Sequence, residues 1–318
     1  MSLKADLSHL PRQTETLTEG VAPDPVARFG PQLVEAWAQT ERFATSLPVA
    51  KKGARFRHSD AGKCSRAIAY AALGLPRKAL DSPAIWVMNL GHIVHDAIQQ
   101  VLQDRYGDDI EVELKVGSNE RAGHVDAVVS LPCDCEGDCE KCSGKGFAVA
   151  SIEFKTVGGF AYKMAVGERS APQGPKFDHK VQAALNAAEV DADESVIVYL
   201  SKDAISVNAA KRKRFSETLR WCAEWTFSRD EYLPLAKREH ARVAGILALL
   251  DDGQLPARKI PELPDGAVIV DPASGRWEAR RNGQVVDVGT AWNCAYCPWQ
   301  EICTKTPAER CDVEVLDV

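Results

Sequence analysis

The 318-residue sequence holds no run near the roughly 18 uncharged apolar residues of a membrane span, which excludes an integral helical membrane protein. Its first twenty residues, MSLKADLSHLPRQTETLTEG, lack the apolar block of a secretory signal, so a secreted disulfide scaffold is not expected. An excess of positive charge is also missing. Lys and Arg number 39 against 45 Asp and Glu, for a net charge of −6, which excludes whole-surface attraction to nucleic acid. Local basic grooves stay open: Lys51, Lys52, Arg55, Arg57, Lys63 and Arg66 form one basic stretch, and Lys211, Arg212, Lys213 and Arg214 another. Each reads equally as a solvated face. No internal repeat is visible apart from cysteine spacings. With 45% hydrophobic and 26% charged residues, a chain this long buries a core without staples.

Cysteine is what the sequence has in excess, with ten. Cys133, Cys135, Cys139 and Cys142 lie in CDCEGDCEKC, and Cys294, Cys297 and Cys303 in CAYCPWQEIC. Without a secretion signal, such groups bind metal more often than they form disulfides. The first group can close a tetrahedral zinc site by itself. The second needs a fourth ligand. Cys64 is the leading candidate, with Cys311 and Cys222 as rivals, and spacing alone does not separate zinc from an iron–sulfur cluster.

Along the chain, residues 1–30 are polar, with Pro11, Pro23 and Pro25, and read as a loose arm. A helix is expected over 59–73, carrying Cys64, and a second from Ser82 to about Tyr106, where Gly91 and His95 share a face. Period-two alternation then predicts strands at 110–116, 122–131 and 147–156. The CDCEGDCEKC segment sits between the last two as an elaborated hairpin tip. A helix over 178–188 and a strand over 195–200 follow. Residues 207–250 read as mostly helical, broken near Pro234, with Cys222 buried on a helix beside Trp221 and Trp225. A small hairpin is expected in 267–289, turning at Arg281-Asn282-Gly283. The fold class is α/β in the mixed, α+β sense.

Glu153 and Lys155 are two apart on the third strand and point to one face, with Phe147, Val149 and Ser151. A carboxylate and an ammonium on an apolar face are costly unless paired or used. Asp126 on the neighbouring strand and His95 on the preceding helix can reach the same point. Oxygen ligands with one nitrogen suit Mg²⁺ or Mn²⁺, and such an ion activates water for phosphodiester hydrolysis, with Lys155 facing the developing charge. Taken alone, E-x-K reads as well as a surface ion pair. His124 shares the face of Asp126 and reads as a neighbour of the ligands. His92 turns off the face of His95. Glu113, on the polar face of the first strand, can approach the same spot.

These pieces, in this order, resemble the PD-(D/E)XK nuclease superfamily in its RecB-like branch over residues ~59–203 and again at 294–303. Gly91-His92-Ile93-Val94-His95 matches the G-x-x-x-H motif, Gly123-His124-Val125-Asp126 the strand bearing the metal-binding aspartate, and Glu153-Phe154-Lys155 the (D/E)-x-K motif. Gln182 matches the first position of the Q-x-x-x-Y helix, where Asn186 replaces the tyrosine. Tyr199 and Lys202, in VYLSKD, also look familiar. A single cysteine ahead of these motifs and C-x2-C-x5-C after them is the arrangement of the branch's iron–sulfur nucleases, which include CRISPR-associated adaptation nucleases and AddB-type subunits.

The resemblance implies an αβββαβ core, a mixed sheet flanked by helices. It implies His95, Asp126, Glu153 and the Phe154 carbonyl as Mg²⁺ or Mn²⁺ ligands, and Lys155, Glu153, Asp126 and Gln182 as catalytic residues. Cys64, Cys294, Cys297 and Cys303 would ligate a structural [4Fe–4S] cluster. CEKCSGKG looks like one unit of a DnaJ-type zinc module, which makes Cys133, Cys135, Cys139 and Cys142 zinc ligands. Cys311 is read as a free thiol. The expected organisation is an arm over 1–58, a core over 59–205 with an insertion over 132–146, a helical extension and hairpin over 206–293, and a cluster-binding segment over 294–318 packed on the core. The expected function is exonucleolytic hydrolysis of DNA, single-stranded or at duplex ends, in recombination, repair or phage DNA processing. The setting would be the cytoplasm of a bacterial or phage-infected cell, without membrane contact and with other recombination proteins as further partners. The alternatives are an endonuclease, a nuclease subunit of a larger complex, and a non-catalytic nucleic-acid-binding module.

Overall fold

A short strand, Phe56–Arg57 (β1), opens the part of the chain that the computed structural model describes: residues 54–78, 82–132, 146–167, 171–202, 222–258, 267–271, 276–290, 294, 297–307 and 309–315. The arm to residue 53, the 133–145 segment with its zinc expectation, and the basic run 211–214 lie outside these residues. A 3-10 turn, His58–Asp60, follows β1, and helix Ser65–Ala72 (α1) begins behind Cys64. The helix expected from residue 59 therefore starts later. Gly62 explains the delay: its φ is +71°, and an added Cβ would lie 2.9 Å from the Asp178 Cα.

Helix Ser82–Tyr106 (α2) leads into strands Ile110–Gly117 (β2), Arg121–Pro132 (β3) and Phe147–Val157 (β4), paired antiparallel in sequence. Helices Gly159–Val166 (α3) and Phe177–Glu189 (α4) carry the chain to strand Glu194–Ser201 (β5), which runs parallel to β4. Strand Cys222–Ser228 (β6) closes the six-stranded mixed sheet antiparallel to β5, and β1 lies parallel to the start of β3. The helical reading of 222–228 is thus corrected. Ala223, Trp225 and Phe227 alternate with exposed Glu224, Thr226 and Ser228, a period-two pattern that pairs with β5. Cys222 is the half-buried first residue of that strand.

Helix Arg229–Asp251 (α5) passes through Pro234 without a break. Pro234 lies in its second turn and removes a single ladder donor. The first turn is pinned because the Glu231 carboxylate accepts from the Ser228 backbone N–H at 2.8 Å and from its Oγ at 3.0 Å. Strand Gln254–Leu255 (β7) follows. Strands Ala267–Asp271 (β8), Arg276–Arg281 (β9) and Gln284–Thr290 (β10) form a separate antiparallel sheet, one strand more than the expected hairpin, with the β9–β10 turn at Asn282-Gly283. Helix Gln300–Lys305 (α6), strand Cys311–Asp312 (β11), paired with β7, and a 3-10 turn, Val313–Val315, complete the described residues.

The sheet is flanked by helices on both faces. On one, Ile98, Leu102 and Tyr106 of α2 pack on Ile110, Ala127, Val129, Ala150, Phe154, Val196 and Val198. On the other, Val181, Ala184, Leu185 and Ala187 of α4 join α1, α5 and Trp299 in the largest core cluster. Each fully buried side chain the size of Leu185 contributes about 1.5–3 kcal/mol. No described helix is long and apolar enough to cross a membrane.

Candidate functional site

The strand registers put three carboxylates in one row. Ala127 faces Ile152, so Asp126 and Glu153 fall at the next opposed position, where the β3–β4 pairing has ended. Across β2, the pairs Val112–Ala127 and Leu114–Val125 leave Glu113 opposite Asp126. Groups from both helical layers meet at the opening between β3 and β4. From α2, His95 Nδ1 stands 3.9 Å from Asp126 Oδ2, and its ring meets Phe154 edge-on at 6.3 Å. Asp126 Oδ2 accepts from the Phe154 backbone N–H at 2.7 Å.

From α4, Gln182 Nε2 donates to Glu153 Oε1 at 2.8 Å, while Gln182 Oε1 accepts from Lys155 Nζ at 3.1 Å. Lys155 also donates to Glu153 Oε1 at 2.5 Å. The other oxygen, Glu153 Oε2, accepts from Asn186 Nδ2 at 2.9 Å. Burial dominates the electrostatics. It pushes Glu153, 2% exposed, up to about 7 despite the opposing charge of Lys155, and Asp126 up to about 6. Burial alone would lower Lys155, but Glu153 outweighs it and holds the ammonium above its ordinary range. Burial, reinforced by Lys155, lowers His95 and leaves a neutral imidazole with a free lone pair. Two buried carboxylates facing a neutral imidazole form a donor set that fits a hard divalent cation.

His92 is exposed, and so is the His124 side chain, whose backbone carbonyl accepts from Asn186 Nδ2 at 2.9 Å. Glu113 stays on the exposed face of its strand, within reach of the site. Its φ is 52°, Gln99 Nε2 donates to its Oε1 at 2.6 Å, and its charge works against burial at His95 and with burial at Asp126. Two contributors had no signal of this role in the sequence. Asn186, 1% exposed, also receives a 2.8 Å hydrogen bond from His58 Nδ1, and His58 itself is buried. Gly123 makes room for that link, because an added Cβ would lie 2.3 Å from His58 Nδ1.

Cys64 and the three cysteines at 294–303 lie near enough to act on one another electrostatically. The thiols of Cys294, Cys297 and Cys303 are pushed up first by burial and further by one another and by Cys64. Arg66 and Arg258 pull Cys303 the other way. Arg66 is no surface cation, contrary to its place in the basic stretch. Fully buried, it donates to the carbonyls of Pro256 (2.7 Å), Pro307 (3.2 Å) and Glu309 (2.9 Å) and to Thr306 Oγ1 (3.1 Å). Cys311, in β11, lies 3.9 Å from the same guanidinium. Tyr199 is a buried hub whose hydroxyl meets the Lys176 N–H at 2.8 Å and His179 Nδ1 at 2.6 Å, and Lys202 Nζ lies 3.4 Å from the Val87 carbonyl.

No known family profile and no curated protein matches the chain. A solved structure described as the crystal structure of SSO0001 is similar over 88% of this chain and 96% of its own length, at 16% identity and a TM-score of 0.42. At that level the likeness defines no family.

Proposed function

We propose that this chain is a metal-dependent deoxyribonuclease with a PD-(D/E)XK core, hydrolysing phosphodiester bonds at DNA ends or in single strands and stabilised by a [4Fe–4S] cluster. The observation that carries this reading is the convergence of His95, Asp126, Glu153 and Lys155, from α2, β3 and β4, on the opening between the two strands. The succession α2, β2, β3, β4, α4, β5, with α3 added, supports an αβββαβ core.

Asp126, Glu153, His95 and the Phe154 carbonyl would hold Mg²⁺ or Mn²⁺. When bound, such an ion lowers the pKa of a coordinated water and offsets charge on the phosphate. The protein's own groups set the geometry. The Phe154 N–H fixes one Asp126 oxygen, and Gln182 and Asn186 each donate to one oxygen of Glu153 and so orient its carboxylate. Lys155, steered by Glu153 and Gln182, presents its ammonium where charge develops on the phosphoryl oxygens. Cys64, Cys294, Cys297 and Cys303 would hold the cluster, with Arg66 and Arg258 offsetting its thiolate charge.

Lys155→Ala is expected to lower Mg²⁺- or Mn²⁺-dependent DNA degradation by about 10²-fold or more with circular dichroism unchanged. Full activity in that variant overturns the site. Comparing linear with circular DNA separates exonuclease from endonuclease. Anaerobically purified protein should be brown, and Cys303→Ser should lose both the colour and its iron. A colourless wild type overturns the cluster.

A further inference from the structure

A second set of ligand atoms lies behind the carboxylate site, on the far side of Asn186. Among the described residues, His58, Glu189 and His240 are the group of possible metal ligands in which one atom of each lies within 4.8 Å of the others. They come from three elements: the turn after β1, the last residue of α4 and the middle of α5. His240 Nε2 stands 3.9 Å from Glu189 Oε1, and the two imidazole centroids are 6.4 Å apart.

The hydrogen bonds fix which nitrogen of His58 is free. Asn186 Nδ2 donates to the His124 carbonyl and to Glu153, so its Oδ1 faces His58 and must accept. Nδ1 of His58 therefore carries the proton, and Nε2 bears the lone pair. His58 is 1% exposed, yet its Nε2 has no hydrogen-bond partner among the described residues. His240 Nε2 is buried and unpartnered in the same way. A buried imidazole lone pair without a donor, beside a second buried ring nitrogen without a partner, is an unusual cost, since a buried polar atom left unpaired forfeits about 1–3 kcal/mol. A cation removes that cost at both nitrogens. A histidine ligand whose second ring nitrogen donates to a fixed amide oxygen has the outer-shell support seen around protein-bound zinc. Arg121 bears on His240 with positive charge, and the Glu189 carboxylate faces it with negative charge.

We infer that His58, His240 and Glu189 form a binding site for one borderline transition-metal ion of the Zn²⁺ class, separate from the carboxylate site and from the cysteines. Two imidazoles and a carboxylate leave the fourth position of a tetrahedral zinc to water. The ion would tie β1's turn, α4 and α5 together and hold His58 against Asn186, which grips Glu153.

The test uses the full chain dialysed against Zn²⁺ with its cysteines intact, compared with Glu189→Gln and with Glu189→Gln/His240→Gln. Both substitutions keep side-chain size at positions that are not fully buried. Wild type is expected to retain one zinc per chain more than the double variant, and its Zn²⁺-induced rise in Tm should vanish in the variant. Glu189→Gln alone should weaken this binding at least about tenfold. With Co²⁺, the wild-type-minus-variant difference spectrum should show d–d bands without sulfur-to-metal charge transfer, which separates this site from the thiolates. Equal zinc content and equal Tm shifts, or a difference spectrum with sulfur charge transfer, overturn the inference.

Discussion

The Tyr199 hydroxyl ties a backbone amide to a histidine ring. It accepts from the Lys176 N–H, shares a hydrogen bond with His179 Nδ1 at 2.6 Å, and is pushed by burial up to about 12, so it stays protonated. Burial in turn lowers His179 from 6.5 to about 4. Between those values the unfolded chain takes up a proton that the folded one refuses, so this residue's contribution to stability is lost as pH falls from 6.5 to about 4. His179→Gln should flatten that part of the stability–pH curve relative to wild type, read by chemical denaturation at several pH values. Residues of this kind were partly legible beforehand. Glu153, Lys155 and Asp126 announce themselves by two-residue spacing on alternating strands. Glu113, on the polar face of its strand, is legible as a neighbour of the site, but its positive φ of 52° is not. His58 could not be read at all, since its role depends on Asn186, 128 residues away.

At the level of elements, long periodic segments were readable and short ambiguous ones were not. Helix α2 and strands β2 to β5 fall within a residue or two of the spans their periodicity predicts. Strand β6 was misread because CAEWTFS is too short to separate a strand from a helix turn by composition, and only pairing with β5 decides it. Pro234 was overvalued as a breaker, because packing and the Ser228–Glu231 cap hold the helix through it. Glu231→Ala should therefore destabilise the protein by about 1 kcal/mol, measured by urea denaturation, with protection from hydrogen exchange falling first in the opening turn of α5.

For the whole molecule, distant segments are clasped by hydrogen bonds from Arg66, a residue that in the sequence passed as one more surface cation. Arg66 sits on α1 and is turned inward, whereas Lys63 lies in the turn ahead of that helix, exposed and paired with Asp60. Arg66→Met should cost about 3 kcal/mol, because the carbonyls of Pro256, Pro307 and Glu309 lose a buried donor. Limited proteolysis should then cut within 306–311 before any other described segment.

The clasp also bears on the order of events during synthesis. Helix α1 is among the first described elements to leave the ribosome, yet a partner of its buried guanidinium, Thr306, arrives 240 residues later. Until then the Pro256 carbonyl can answer only one edge of the guanidinium, and docking α1 in the core would bury the donors that Thr306, Pro307 and Glu309 later satisfy. Nascent chains halted before Thr306 should hold α1 undocked, so this fold is completed after the sheet has been translated rather than alongside it.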